Sequence, residues 1–498
     1  MDQQNGDPHG SALAPPLGTD PTLPAPDRLP VWNLPGPNNC PDHNEYLNNQ
    51  VVIRGDMDRD TVEPTVRDMP GARARKWAEH HRSTAAKSTY VYDFVWDASA
   101  EAEGPFCTDV DGNVLLDFTS HVAAAPLGYN NPKIVERARE FGLVDPLKIA
   151  GQDFYVSAGG TPEDPEFPGP TQLMDRLVEI TDYGMDRVFL SNSGAEAVEN
   201  AIKICYDNGG HRAFCFDGAF HGRTLGALSL NRSKQAHRKG YPEIPGVVSV
   251  PYCACDGNCS CGWRTDGPGG NVIADKLDPD QGVLDPEEVA YLILEPIQGE
   301  GGYRLPSDAF IQDVREIREE YGIPIVADEI QSGVGRTGEM WAVDHTPLEP
   351  DVITAAKGLR VGATISREDM FPDEGGRISS TWGAGALLDS MYGVLTLDAI
   401  REHDLMANAV ERGRQLRESL VDANLEGVTD VRGRGLMVAV EFDTKARRDE
   451  IMEVAMHRGL LTLGCGYRTL RLLPPMDVRA REIEIAVDLL AETTADVA

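Results

Sequence analysis

Lysine is scarce in this chain: ten in 498 residues, against 36 arginines among 46 basic side chains. Basic charge is short altogether, because 80 aspartates and glutamates leave a formal net charge of −34. An anionic surface of that size repels phosphate backbones and acidic lipid, which excludes nucleic acid and membranes as partners. It also repels itself unless salt screens it, and at molar ionic strength the Debye length falls to about 3 Å. The composition therefore points to a high-salt cytoplasm, with an ordinary acidic cytosolic enzyme as the other reading. Long apolar runs are missing too, and none approaches the ~18 residues that a membrane span needs. No basic residue precedes Arg28 and no apolar stretch accompanies it, so a secretory signal is not expected. Nine cysteines, an odd number, in a chain without such a signal read as thiols of a reducing compartment, the cytoplasm.

What is present divides into four stretches. Residues 1–40 are rich in proline and poor in periodic apolar positions, and read as an extended or disordered arm. Residues 41–124 carry a helical pattern from about 70, then "FCTDVDGNVLLDFTS", a hairpin turning at Asp111-Gly112-Asn113. From 125 to 365 short apolar runs ("DRVFLSNSG", "RAFCFDGAF", "VVSVPY", "AYLILEPIQG", "IPIVADEIQSG", "DVITAAKG") alternate with helical patterns. That alternation predicts an α/β domain around a mostly parallel sheet covered on both faces. Residues 366–498 read as a smaller α+β domain packed with the 41–124 segment. It has a long helical region at 386–424, the strand pattern "DVRGRGLMVAVEF", a helix near 445–458, strands "LLTLG" and "TLRLLPP", and a final helix.

In such sheets ligands sit beyond the carboxyl ends of the strands, where Ser193, Phe220, Glu295, Asp328 and Lys357 all fall. "DVITAAKGL" reads as an apolar strand ending in Lys357, a costly place to desolvate an ammonium. Strand alternation sends Asp328 and Glu329 to opposite faces. A carboxylate at a buried strand end needs a cation: either a structural salt bridge, or a protonated ring nitrogen with Lys357 forming an imine nearby. "SNSGAEAVENAIK" places Ser193, Gly194 and Ala195 at a helix start, either an ordinary N-cap or an anion site. "DGAFHGRT" adds Phe220 and Arg223, readable alone as a core aromatic and a surface cation.

Taken together, "SNSGAEA … FHGRT … LEPIQGEGG … VADEIQSGVGRTG … TAAKG … STWG … RGRG … LRLLPP" resembles the class III aminotransferases over roughly residues 70–495. These are pyridoxal-phosphate (PLP) enzymes of fold type I, with a large mostly parallel-sheet domain and a smaller α+β domain. The resemblance implies that Lys357 carries PLP as an imine and later moves the proton between substrate and cofactor. It implies that Asp328 keeps the pyridine nitrogen protonated, that Phe220 stacks on the ring, and that Gln331 lies near its phenolic oxygen. Ser193, Gly194 and Ala195 would hold the phosphate, joined by Thr381 from a partner subunit, which implies at least a homodimer. For substrates, an amino donor and a 2-oxo acid, it implies that Arg223 clamps a distal carboxylate and that Val122 contacts the donor. Glu300 and Arg471 would form a switch: paired for an ω-amino donor, parted so that Arg471 takes the α-carboxylate of glutamate or 2-oxoglutarate. A fixed salt bridge is the other reading of that pair.

Among class III enzymes the chain looks closest to animal-type 4-aminobutyrate aminotransferases and lysine 6-aminotransferases, through "DVDGNVLLDFTSHVAAAPLGY", "SKQAHRKGYP" and "GLLTLGCGYRTLRLLPP". It departs from the former where two cysteines hold an iron–sulfur cluster; here stand Ser193 and Glu196, so that cluster is not expected. Thr119 and Ser379 replace a tyrosine and a phenylalanine, which widens the pocket toward longer donors such as lysine or ornithine. Racemases and aminomutases of the same scaffold, and a non-catalytic binding relative, are the alternatives from other classes. Outside the family pattern lies "PYCACDGNCSCGW": Cys253, Cys255, Cys259 and Cys261 can converge on zinc or an iron–sulfur cluster, or be free thiols or a redox clip.

Overall fold

The computed structural model describes residues 57–89, 94–143, 156–157, 159–255, 257–379 and 381–497. The arm expected over 1–40 lies outside these residues. The helix Ala72–Thr84 comes first, followed by the hairpin β1 (Phe106–Thr108) and β2 (Val114–Asp117), with Phe106 opposite Leu116. Its turn falls where the sequence places it. Asp109 accepts from the backbone N–H of Asp111 (2.9 Å) and Asn113 (2.8 Å), and Gly112 supplies the left-handed φ of +84°.

Seven strands build the main sheet: β3 (Arg187–Ser191), β4 (Arg212–Phe216), β5 (Val247–Val250), β6 (Val289–Leu294), β7 (Ile325–Asp328), β8 (Val352–Ala355) and β9 (Gly362–Ser366). Their order is β3-β9-β8-β7-β6-β4-β5, and all neighbours are parallel except at β9, which runs against both β3 and β8. The mostly parallel sheet is as expected, with "GATIS" as an additional strand. Period-two alternation assigns each face its cover. Tyr291 and Ile293 of β6 meet Val198, Ala201 and Cys205 of the helix Gly194–Asp207. Leu292 and Leu294 meet the cluster containing Phe310, Val314 and Ile317 of the helix Asp308–Tyr321, whose i, i+4, i+7 spacing makes one apolar stripe. Ser307 caps that helix and Gly322, at φ +68°, ends it.

The C-terminal part contains β10 (Val428–Arg434), β11 (Met437–Phe442), β12 (Leu460–Leu461), β13 (Leu463–Cys465) and β14 (Thr469–Leu472). Two expectations are corrected here. The helical region 386–424 is two helices, Leu387–Glu402 and Leu405–Asp422, broken where Asp404 takes a φ of +51°. "LLTLG" serves two sheets: β12 joins β2 in parallel, whereas β13 pairs antiparallel with β14 in the sheet β10-β11-β14-β13. No helix among the described residues is long and apolar enough to cross a membrane.

Candidate active site

The ends of β3, β4, β6, β7 and β8 converge on one cavity of about 740 Å³, lined among others by Ser193, Phe220, Glu295, Asp328 and Lys357. Lys357 is not on the strand but two residues beyond it. Pairing of β8 with β9 stops at Ala355–Ala363, and the chain must reverse between them, with φ of +41° at Lys357 and +64° at Arg360. A left-handed backbone at a side chain as long as lysine costs about 1–3 kcal/mol, strain of the kind that marks functional positions. Removal from water, then the Arg471 guanidinium, push the Lys357 ammonium down to about 8. No carboxylate lies within ion-pair distance of its amine among the described residues.

Asp328 and Glu329 do face opposite ways. Glu329 accepts from Ser332 Oγ (2.6 Å) and the Val343 N–H (2.7 Å) within the core. Asp328 turns to the cavity, where its Oδ2 lies 2.7 Å from His221 Nδ1 and its Oδ1 accepts from the Ile330 N–H at 3.1 Å. The buried His221 is in turn fixed through its backbone N–H, which donates to Asn231 Oδ1 at 2.6 Å. Glu295 accepts from the N–H groups of Phe220 (2.9 Å) and Gly299 (2.8 Å), so one buried carboxylate ties the ends of β4 and β6 together. Burial, with Asp328 nearby adding to it, raises the Glu295 carboxyl to about 7.

The helix Gly194–Asp207 points its N-terminus at this cavity. Ser193 Oγ accepts from the Glu196 N–H, while the Gly194 and Ala195 N–H groups donate to no protein acceptor among the described residues. A Cβ at Gly194 would stand 2.8 Å from Ile330 Cδ1, so a side chain there would have to displace Ile330 from the cavity wall. Arg223 is exposed, its guanidinium 5.9 Å from the Phe220 ring centroid. Glu300 lies 3.4 Å from the buried Arg471 and also contacts the Lys234 amine. Gln331 lines the cavity beside them.

A family model described as "Aminotransferase class-III" matches residues 92–494. The chain belongs to that family. It is 31% identical to an alanine/serine racemase of Pyrococcus horikoshii over 86% of this chain and 91% of that protein. It is 30% identical to a probable mitochondrial 4-aminobutyrate aminotransferase of Caenorhabditis elegans over 83% and 89%. Its fold superposes on lysine aminotransferase from M. tuberculosis with a TM-score of 0.72 at 26% identity, covering 84% of this chain and all (100%) of that one. The α/β architecture is that of the fold-type-I PLP aminotransferases, as the sequence motifs implied.

Within this class-III fold not every expected residue lines the cavity. The wall near the 120–125 turn is formed by His121, Ala124 and Ala125; Val122 is not among the lining residues, and Thr119 is buried beneath, capping the turn through His121 N–H. Thr381 is held beside the start of the helix Gly194–Asp207 of its own chain, accepting from Asn192 Nδ2 (2.6 Å) and donating to Glu196 Oε1 (3.0 Å). Two participants escape sequence reasoning. His221 sits inside the quoted "FHGRT", yet its partner is 107 residues away. Lys234 shares Glu300 with Arg471 across 66 residues.

Proposed function

We propose that this class-III aminotransferase moves the terminal amino group of an ω-amino acid, of 4-aminobutyrate type, to 2-oxoglutarate, with PLP held by Lys357. The reading rests above all on the depressed, strained Lys357 amine opening onto the same cavity as the His221-buttressed Asp328. PLP fits the residues present. His221 Nε2 and Gln331 Oε1, on two residues of the cavity wall, are buried without hydrogen-bond partners among the described residues. The donor set is complementary to the cofactor: two open N–H groups at a helix start for a phosphate, and a carboxylate for a ring nitrogen.

When bound, PLP supplies an electron sink for the carbon that loses its proton. Asp328 would hold the ring nitrogen protonated, and His221 would keep that carboxylate aimed. Gly194 and Ala195 would hold the phosphate, aided by Ser193 and by Thr381. The bonds of Thr381 to Asn192 and Glu196 keep it beside the same helix start within its own chain, rather than reaching in from a partner of the homodimer. Phe220, clamped through its N–H by Glu295, would set the ring plane. Lys357 Nζ would carry the proton from the donor carbon over to the cofactor side, as a base whose neutral form is populated near pH 8. Arg223 binds the distal carboxylate in a two-pronged geometry. Glu300 covers Arg471 until an α-carboxylate arrives, and Lys234 gives Glu300 a second cation to bind when it leaves. Lysine or another diamine is the alternative donor, favoured by the small Ala124 and Ala125 in the wall. We also read the acidic surface as an adaptation to a high-salt cytoplasm.

Mixing the PLP-loaded protein, in concentrated salt and without keto acid, with single amino compounds tests the proposal. Its yellow absorbance bleaches with glutamate and with one of 4-aminobutyrate, lysine or ornithine. A protein bleached by none of these, but exchanging the α-hydrogen of alanine or serine, is an isomerase like its Pyrococcus relative. Substrate discrimination has its own expected signature. Glu300→Gln uncovers Arg471, so the kcat/KM ratio of ω-amino donor to glutamate falls about tenfold, ~1.4 kcal/mol of lost discrimination. Capture of PLP by apoprotein gives another. Neutral lysine is the capturing species, and an amine at about 8 instead of the ordinary 10.5 is still protonated at pH 7. The capture rate therefore climbs about tenfold per unit below pH 8 and levels above it, measurable by stopped-flow absorbance. A rise continuing to pH 10 would mean an unperturbed lysine.

A further inference from the structure

Transamination leaves one group of side chains unused. We propose that Cys253, Cys255, Cys259 and Cys261 bind one zinc ion as a tetrahedral thiolate site that braces the segment carrying Glu295 and Glu300. The four Sγ atoms all lie within 4.8 Å of one another, with Cys253–Cys259 at 3.7 Å and Cys259–Cys261 at 3.4 Å. Tetrahedral zinc with Zn–S bonds of about 2.3 Å sets its sulfurs ~3.8 Å apart, close to the Cys253–Cys259 spacing of 3.7 Å and within the 4.8 Å spread of the four. An iron–sulfur cluster divides its ligands between two or more irons and holds them wider.

Backbone donors surround the sulfurs as they would thiolates. The Ser260 N–H points at Cys255, those of Arg264 and Cys261 at Cys259, and that of Trp263 at Cys261. Such N–H···S bonds offset the negative charge that four metal-bound thiolates concentrate in one loop. Gly257 (φ +87°) provides a reversal inside the C-x-C-x₃-C-x-C span, and Gly262 (φ +86°) turns the chain just after it. Binding releases the thiol protons to solvent, so occupancy rises with pH.

The loop is anchored where a brace would act. Tyr252, next to Cys253, is buried with its hydroxyl 3.3 Å from the Glu295 carbonyl and 3.2 Å from that of Pro296. The Cys253 carbonyl accepts from the Ser307 N–H at 3.0 Å, and Ser307 caps the helix Asp308–Tyr321. On the other side Trp263 Nε1 donates to Asp313 of that helix at 2.7 Å. One ion thus closes a clasp between the exit of β6 and the helix beneath the sheet.

Elemental analysis of the full-length holoenzyme, purified without chelator, should give about one zinc per chain. A Cys255→Ser/Cys259→Ser variant should fall below about a tenth of that and melt at lower temperature with the same PLP content. Should that variant not fold, cobalt exchanged into the wild-type protein should show the intense visible bands of tetrahedral Co(II)–thiolate. Less than about 0.2 zinc per chain, with four thiols open to a thiol reagent in the native protein and no cobalt spectrum, would overturn the proposal. Iron with acid-labile sulfide in place of zinc would overturn it too.

Discussion

Lys357→Ala folds, binds PLP non-covalently and turns over at least about 10⁴-fold more slowly than the parent protein. Proton transfer by a positioned side chain is by itself worth about 10²–10⁴, and this variant also loses the group that holds the cofactor. Folding should survive, because alanine meets the same left-handed backbone at φ +41° that lysine does. The sign of the stability change follows from the depressed amine. Below pH 8 the folded protein carries a charge that water would solvate better, so removing it leaves the apoprotein as stable or more stable at pH 7. Steady-state rates and melting curves of the variant measure both effects. Activity within tenfold of wild type would remove Lys357 from the chemistry.

Asp328→Asn is expected to lower kcat by about 10²–10³ while changing PLP affinity far less. The amide keeps the shape but not the charge, so the ring nitrogen is no longer held protonated and the electron sink weakens. His221 sharpens the prediction, because its Nδ1, 2.7 Å from Asp328 Oδ2, can in the other tautomer accept from the new amide NH2 while the amide oxygen keeps the Ile330 N–H bond. The side chain therefore stays in place, and the loss reports charge rather than displacement. Asp328→Glu keeps the charge but must push into His221 or Ile330, and should fall between the two. A kcat within threefold of wild type in Asp328→Asn would mean that this carboxylate is structural.

The parts of the fold that were legible share a physical origin: patterns whose meaning is local. The runs at Val289–Leu294 and Ile325–Asp328 announce strands buried on both sides, and Asp111-Gly112 announces a turn. Residues at strand ends gather because parallel strands deliver their carboxyl ends to one edge, so Ser193, Phe220, Glu295, Asp328 and Lys357 converge as the topology requires. What was not legible depends on pairing. "GATIS" has no local feature that sets it antiparallel between β3 and β8. "LLTLG" divides between two sheets according to which partner edge lies nearer, β2 or β14. Asp404 interrupts a helical pattern through its own backbone conformation, with apolar spacing on both sides intact. In the site, the buttress His221 and the second cation Lys234 act through partners 107 and 66 residues distant, beyond any sequence window.

One lysine of ten should hold the cofactor. Borohydride fixes PLP permanently to the lysine that carries it, and peptide mass spectrometry then locates the added pyridoxyl group. One modification per chain is expected, on Lys357 within the segment 351–360, absent from Lys357→Ala. A label on another lysine such as Lys234, or no label on a protein that still binds PLP, would contradict it.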